Sequence, residues 1–394
     1  MTNVCHISTM SNWGGVERLL ADMLTSVDQR VTKHFLIATS ASPEVLRPIK
    51  KAGIEVLQPK RRFRYDPGAM LQMVRWLRSK HIQIVHCYNA FANVSGSLAA
   101  RLAGVPVTIT GEHGTAWSTR PPMAWFDQWA NRHADLTVAA SQASALGTTL
   151  RYQVSPQKIR VIYNAVPPLP TADIPAIRAS LGIGNALVVG SVGRLAPVKN
   201  FSVFIEAAAL VSQERDDIRF VLVGGGPQEI ELQRVAHRLG IDGSFIFTGW
   251  REDARSLVQA FDLFVSTSIH EVFGIALAEA ALAGIPVIAP AVGGIPEIVQ
   301  NGVTGILLHP TRPIEGNDAI PRRILVAEDE QSARSVDPAE VANAILKLAD
   351  EPCLRAQYGH AGRIQVQERF SLRGYVRKLE EIYLGLLNEE EGNV

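Results

Sequence analysis

From the N-terminus onward, short runs of β-branched residues alternate with longer segments whose apolar positions recur every three to four residues. Strand-like runs lie at 4–7, 35–38, 54–57, 84–87, 107–110, 136–139 and 159–162. Helical periodicity fills most of the gaps, most clearly at 16–26, 67–79, 93–103 and 125–133. This βαβ rhythm predicts a parallel sheet with helices on both faces. At 164–170 the pattern stops, because Pro167, Pro168 and Pro170 oppose both helix and ladder pairing, and the segment reads as a linker. A second series follows, with strands expected at 187–192, 220–223, 245–247, 263–266, 287–289 and 306–308. Three helices close the chain near 338–350, 354–366 and 372–387, and the charged, aperiodic stretch 311–337 reads as a surface insertion.

Length agrees with two series. The 394 residues exceed what one hydrophobic core usually supports, so two domains with a cleft are expected. With 47% hydrophobic and 20% charged residues the chain is globular in composition. The net charge of +1 hides an asymmetry: residues 1–168 carry 19 basic and 9 acidic side chains, a formal +10, and residues 169–394 carry 20 and 29, a formal −9. A basic face suits nucleic acid, anionic lipid or a phosphorylated substrate, and charge alone does not choose. Cys5, Cys87 and Cys353 are scattered, which argues against a disulfide framework or zinc site. No signal peptide is expected, because a strand-like segment begins at Asn3. The longest apolar stretch, 275–296, is broken by Glu279, Gly284, Pro286 and Pro290, so any membrane contact is expected to be peripheral and the compartment cytoplasmic.

In open α/β sheets ligands sit beyond the carboxyl ends of the strands, so the post-strand loops hold the candidate chemistry. Arg194 and Lys199 stand five residues apart beside a helix start, where a diphosphate fits; two solvated loop cations are the alternative. Glu271 follows the 263–266 strand, and Glu279 is the single polar residue of an otherwise apolar helix, with seven residues between the two. A buried carboxylate needs hydrogen-bond donors, which vicinal sugar hydroxyls supply, as does a structural partner. Gly14 and Gly15 open a helix after the first strand, which permits close approach of a ligand or forms an ordinary turn. His113, within Gly111-Glu112-His113-Gly114, marks the carboxyl edge of the first sheet. Gly224-Gly225-Gly226 has Glu229 where a dinucleotide fingerprint needs glycine, and reads as a tight turn. Gly293 and Gly294 offer N–H groups to the cleft, while Glu297 suits a helix start. Residues 60–65, with Trp76 and Arg78, mix cations and aromatics as an interfacial surface does. No phosphate-binding P-loop, metal-ligand cluster or nucleic-acid signature is found, so no nucleic-acid partner is expected.

Together these segments resemble the retaining, nucleotide-sugar-dependent glycosyltransferases of family 4. Glu271–Val–Phe–Gly–Ile–Ala–Leu–Ala–Glu279 carries most of the resemblance, supported by Gly193-Arg194, Lys199-Asn200, the Gly224–Gly226 turn, Gly284 and Gly293-Gly294. The resemblance implies the α/β GT-B fold, two Rossmann-like domains whose parallel sheets face each other across a cleft. Residues 1–168 would form an acceptor-binding domain, 169–370 a nucleotide-sugar-binding domain, and 371–394 a helix crossing back to the first. It implies that Arg194 and Lys199 bind the donor diphosphate in place of a metal, that Glu271 contacts the donor sugar and that Glu279 accepts from ribose hydroxyls. Gly193 belongs to the same loop as Arg194. N–H groups around Phe273, Gly274 and Ile275 would hold sugar and phosphate, Gly14-Gly15 would cover the diphosphate, and His113 would line the acceptor side. The implied substrates are a UDP- or GDP-sugar and a saccharide or lipid-linked saccharide, with no cofactor and no metal. The basic first domain adds an expected contact with anionic membrane. Val272 and Ala165 depart from the family's common glycines. A nucleotide-sugar epimerase of the same fold and a non-catalytic sugar-nucleotide-binding subunit are the alternatives; a nicotinamide oxidoreductase is disfavoured by the failed glycine fingerprint.

Overall fold

The computed structural model describes residues 2–392 except 12, 65, 114–122, 315–322 and 327–328, and leaves aside the side chains of 123, 323–326, 329–331 and 389–392. Parts of three stretches singled out above therefore lie outside the described residues: Tyr65, Gly114 and much of 311–337. Two units result, one from Met1–Pro167 with Leu372–Val394, the other Pro168–Ser371.

In the first unit the strands are β1 (Thr2–Met10), β2 (Thr32–Ala41), β3 (Glu55–Leu57), β4 (Ile84–Cys87), β5 (Val107–Glu112), β6 (Leu136–Ala139) and β7 (Ile159–Val161). They pair in the order β3-β2-β1-β4-β5-β6-β7, all parallel. Its helices are α1 (Gly15–Ser26), α2 (Pro43–Lys51), α3 (Pro67–Ser79), α4 (Ala90–Ala103), α5 (Met123–His133) and α6 (Gln142–Tyr152). Side-chain parity assigns the faces. Cys5, Ile7, Phe35, Ile37 and Val85 pack with Met73 and Leu77 of α3 and Ala99 of α4. Val4, Leu36 and Ile84 face the other way, against Leu20 of α1 and Val45 of α2. Helix starts are set locally: Asp66 accepts from Gly68 N and Asn89 from Ala92 N, which satisfies N–H groups that the first turn leaves open.

The second unit holds α7 (Ile174–Ser180), β8 (Leu187–Val192), α8 (Phe201–Glu214), β9 (Ile218–Val223), α9 (Glu229–Arg238), β10 (Phe245–Gly249), α10 (Ala254–Leu257), β11 (Leu263–Val265), α11 (Ile275–Ala283), β12 (Val287–Pro290), α12 (Ile295–Ile298) and β13 (Gly305–Leu308). Its parallel sheet runs β10-β9-β8-β11-β12-β13. Phe204, Phe220 and Phe245 anchor one core layer, closed by α13 (Pro338–Asp350) through Val341 and Ile345. Then α14 (Pro352–Arg369) packs against α11, where Gly359 is required because a Cβ there would stand 1.9 Å from Gly284 O.

Two expectations are corrected. The 311–337 stretch is not wholly irregular: Arg312–Pro313 pairs antiparallel with Arg334–Ser335, and Arg323–Val326 with Asp329–Ser332. Its far end is core, since Ser335 and Val336 are buried and Asn200 Nδ2 donates to Ser335 Oγ at 2.7 Å. Likewise 164–170 is more than a linker, because Asn164, Ala165 and Val166 are buried within the first unit. Helix α15 (Leu372–Gly392) then supplies Tyr375, Leu379 and Tyr383 to the first unit's core, so the end of the chain completes the fold of its beginning.

Candidate active site

The chain adds β9 and β10 on one side of β8, then returns to place β11, β12 and β13 on the other. The reversal between β8 and β11 opens the crevice where doubly wound sheets bind ligands. The two loops leaving that point are 193–200, after β8, and 266–274, after β11. They carry Arg194, Lys199 and Glu271, with Glu279 following in α11.

Backbone contacts fix both loops. Leu195 N donates to Gly225 O at 3.0 Å and Gln228 N to Leu195 O at 3.1 Å. A Cβ on Gly224 would lie 1.9 Å from Gly193 O, so the glycine run is a seat for the Arg194 loop, as a tight turn should be. Ile269 N donates to Val198 O at 2.8 Å, and Thr267 Oγ1 donates to Lys199 O at 3.1 Å and Asn200 O at 2.9 Å. These bonds sew the cation-bearing loop to the carboxylate-bearing one. Gly293 and Gly294 are not free to line a cleft: Gly294 N donates to Glu271 O at 2.9 Å. Gly293, at φ 52°, would press a Cβ to 1.9 Å from the same oxygen. Gly293→Ala is expected to lower stability by roughly 2 kcal/mol or more, from left-handed strain plus that clash. Gly302→Ala, with φ 75° and nothing within 4 Å, keeps only the strain. Equal melting temperatures for the two variants would sink this account of the turn.

Lys199 Nζ donates to Glu271 Oε1, and Ser268 Oγ donates to the same oxygen at 3.0 Å. Their side chains are 25% and 13% exposed, so the pair borders solvent without being swamped by it. Arg194 is exposed, and no hydrogen bond or ion pair of its side chain is found among the described residues. The two cations thus differ: one is held by a carboxylate, the other is open to an incoming anion. Glu279 is buried and faces Arg255 of α10, Nε to Oε1 3.1 Å, so its partner is a cation that sequence reading does not single out. Next to Glu271, His270 is buried and held down to about 4, chiefly by desolvation, with Glu271 opposing and Lys199 assisting. It is neutral at pH 7. Phe273 is buried against Phe370, ring centroids 5.2 Å apart, so its side chain serves the core and only its backbone is available. Gly274, at φ 107°, caps α11 with no side-chain hydrogen bond, which leaves N–H groups at Ile275 and beyond for a ligand.

In the first unit, Gly14 is the N-cap of α1 and supplies no side-chain cap; both Gly14 and Gly15 are exposed. His113 is buried, and its Nδ1 donates to Asn164 Oδ1 at 3.0 Å. Its ring stacks on Tyr88 at 5.4 Å and 17°. Burial holds His113 at about 4 despite the Asn164 bond, which opposes the shift. The neutral ring keeps its lone pair on Nε2, an atom with no hydrogen-bond partner among the described residues. Asn164 and Tyr88 were hidden in the sequence, one in a proline-rich stretch and one at a strand end. Among the described residues no cluster of three or more His, Cys, Asp or Glu is placed to hold a metal, and no helix is long and apolar enough to cross a membrane.

Comparison with known proteins gives two family matches, "Glycosyl transferases group 1" over residues 173–335 and "Glycosyltransferase Family 4" over residues 13–168. A 2-deoxystreptamine glucosyltransferase of Streptomyces kanamyceticus is 28% identical over 244 residues, which is 57% of this chain and 63%, under two thirds, of that protein. The UDP-Gal:alpha-D-GlcNAc-diphosphoundecaprenol alpha-1,3-galactosyltransferase of Escherichia coli is 26% identical over 338 residues, 82% of this chain and 80% of that one. Among solved structures, Anabaena HepE in complex with UDP and glucose superposes with a TM-score of 0.82 at 23% identity, covering 98% of this chain and 100% of that one, and shares its fold.

Proposed function

This chain belongs to glycosyltransferase family 4, and from that premise we propose that it moves a sugar from a nucleotide-sugar donor to a hydroxyl of a saccharide or lipid-linked saccharide, with retention at the anomeric carbon. The observation that carries this reading is the placement of Arg194, Lys199 and Glu271 on two mutually bonded loops at the reversal point of the second unit's sheet. As the bond from the anomeric carbon to the diphosphate breaks, its electron pair passes to a phosphate oxygen, and cations already in place lower that barrier. Arg194 meets the diphosphate as an open cation. Lys199, aimed by Glu271, meets it as an oriented one. Glu279 accepts from the ribose hydroxyls, and the N–H groups after Gly274 take phosphate or sugar oxygens. In the first unit, His113 is given the acceptor side and the Gly14–Gly15 turn the diphosphate. The acceptor hydroxyl attacks on the face from which the phosphate departs.

The relatives motivate the donor class, since HepE was solved with UDP and the Escherichia coli relative is named for UDP-Gal. That second name also motivates a lipid-linked acceptor, and the formal +10 over residues 1–168 motivates peripheral contact with an anionic membrane. A thermal-shift series with UDP-, GDP- and ADP-sugars tests the reading, because a ligand that binds only the folded state raises its melting temperature. One nucleotide class is expected to stabilise the protein, and stabilisation by none would overturn the proposal. Glu279→Ala is expected to weaken the effective donor about tenfold, the size of one charge-assisted hydrogen bond. An unchanged donor Kd in that variant removes the ribose assignment.

A further inference from the structure

We propose that a cavity of the first unit, between α3 and α4, binds the phosphate-bearing end of a long-chain lipid, with hydrocarbon inside and phosphate on Arg61 and Arg64. The cavity encloses about 240 Å³. Its apolar wall comes from Met70 and Met73 of α3 and from Phe91 and Leu98 of α4. Specific small-molecule pockets run from about 300 Å³ upward, so this one suits part of a chain whose remainder lies outside.

The mouth is cationic by construction. Arg61 and Arg64 both lie over the Phe91 ring, 5.1 and 5.5 Å from its centroid, so one aromatic ring contacts both cations. Arg61 forms no ion pair among the described residues. The acidic lining residue, Asp66, is committed elsewhere: it accepts from Arg62 N and Gly68 N, each at 2.8 Å, and these bonds hold its carboxyl below the usual range. Asp66 therefore stays ionised at the rim, and the two forked guanidinium groups beside it present several N–H donors, which match a phosphate's several oxygens better than a single carboxylate.

The surroundings select a lipid over a free phosphorylated metabolite. Phe63 (60% exposed) precedes α3, Leu98 (38%) and Leu102 (51%) lie on α4, and Trp125 (70%) and Phe126 (52%) lie on α5, the helix packed beside α4. Lys60 and Arg62 lie in the loop before α3, and Arg75 and Arg78 on α3. Scattered apolar exposure is ordinary, but Phe63, next to the cavity's arginines in sequence, and Leu98 on its α4 wall combine exposed apolar groups with cations, the profile of a surface that meets a bilayer. If the acceptor is lipid-borne, as proposed for this enzyme, the cavity takes the carrier's phosphate end and so names that substrate's class.

Farnesyl phosphate, titrated below its micellar range into the full-length protein, is the probe, with farnesol and inorganic phosphate as comparison arms. Farnesyl phosphate is expected to bind at least about tenfold tighter than either, a difference of about 1.4 kcal/mol. The Arg61→Ala/Arg64→Ala variant is expected to lose that preference while still binding farnesol. Leu98→Glu, at an exposed position, should weaken both lipids. Urea unfolding followed by tryptophan fluorescence, with five of the 6 tryptophans in the first unit's sequence, checks that each variant is folded, and the same samples are titrated with UDP-glucose and GDP-mannose to test the donor reading. Binding of inorganic phosphate as tight as that of the lipid phosphate, no binding of farnesyl phosphate, or indifference to the arginine substitutions would each overturn the inference. If a nucleotide sugar binds and farnesyl phosphate does not, the inference falls and glycosyl transfer stands; the reverse result removes the donor reading and keeps the cavity's ligand.

Discussion

Lys199→Ala is expected to slow glycosyl transfer by roughly 10²-fold or more at saturating donor and acceptor, the loss typical of one preorganised charge contact in a transition state. Its effect should exceed a bare deletion of charge. Lys199 is the ion-pair partner of Glu271, whose side chain is 13% exposed, and only the Ser268 hydroxyl would remain on that oxygen. An under-compensated carboxylate would then face the incoming diphosphate and repel it. The variant should therefore lose donor affinity as well as turnover, and melt at a lower temperature. Arg194→Ala should lose comparable turnover without the melting change, because that guanidinium is exposed and its side chain makes no hydrogen bond or ion pair among the described residues. Adding Glu271→Gln to Lys199→Ala removes the stranded charge, so donor affinity should partly return while turnover stays low. Near-normal turnover in both single variants would contradict the leaving-group role.

How far such a site is legible in sequence depends on distance along the chain. Residue types and post-strand positions could be read directly, because a parallel strand buried on both faces leaves a continuous apolar run such as 263–265 or 287–290. Where polar residues enter the sheet the reading shortens: β1 extends over Thr2–Met10, well beyond 4–7, because the polar Thr2 and Ser8 are buried strand residues. Helix α6 gives a weak pattern since, apart from Tyr152 at its end, its buried residues are Ala143, Ser144, Gly147 and Thr148, small side chains that permit close packing without an apolar stripe. The pairings were not legible at all. Lys199 and Glu271 are 72 positions apart, and Arg255 reaches Glu279 from a helix of only 4 residues. A buried glutamate announces that it needs a partner; it does not say that an arginine on α10 forms an ion pair with it.

Acid should unfold the first unit early, and the cause is a chain of buried imidazoles and phenols. Parity directs His6, His34 and His86 to the face that α15 covers. His34 Nδ1 and His6 Nε2 are 2.9 Å apart, His6 Nδ1 meets Tyr88 OH at 3.0 Å, and His86 Nδ1 meets Tyr383 OH of α15 at 2.7 Å. Tyr88 and Tyr383 are raised well above 10.0, chiefly by burial, and Tyr375 is raised too, so these phenols stay neutral. Glu380 of α15 is also raised by burial and by Asp28. His34 and His113 are held at about 4, chiefly by desolvation, and His6 and His86 fall well below 6.5, each depressed further by a neighbouring histidine. All four therefore have folded values below the unfolded 6.5, and the unfolded chain takes up more protons as pH falls. Their contribution is fully present above about pH 6.5 and is lost downward toward the folded values, at about 1.4 kcal/mol per pH unit for each imidazole. Across 6.5 to about 4, His34 and His113 each lose on the order of 3 kcal/mol, against a total domain stability of about 5–15 kcal/mol. Five of the 6 tryptophans lie at positions 13, 76, 117, 125 and 129, so tryptophan fluorescence during urea unfolding reports chiefly on this unit. Its midpoint should drop steeply between pH 6.5 and 5, with His34→Gln reducing the proton uptake by about one. A midpoint flat across that range would mean that the imidazoles find charge partners before they drive the unit apart.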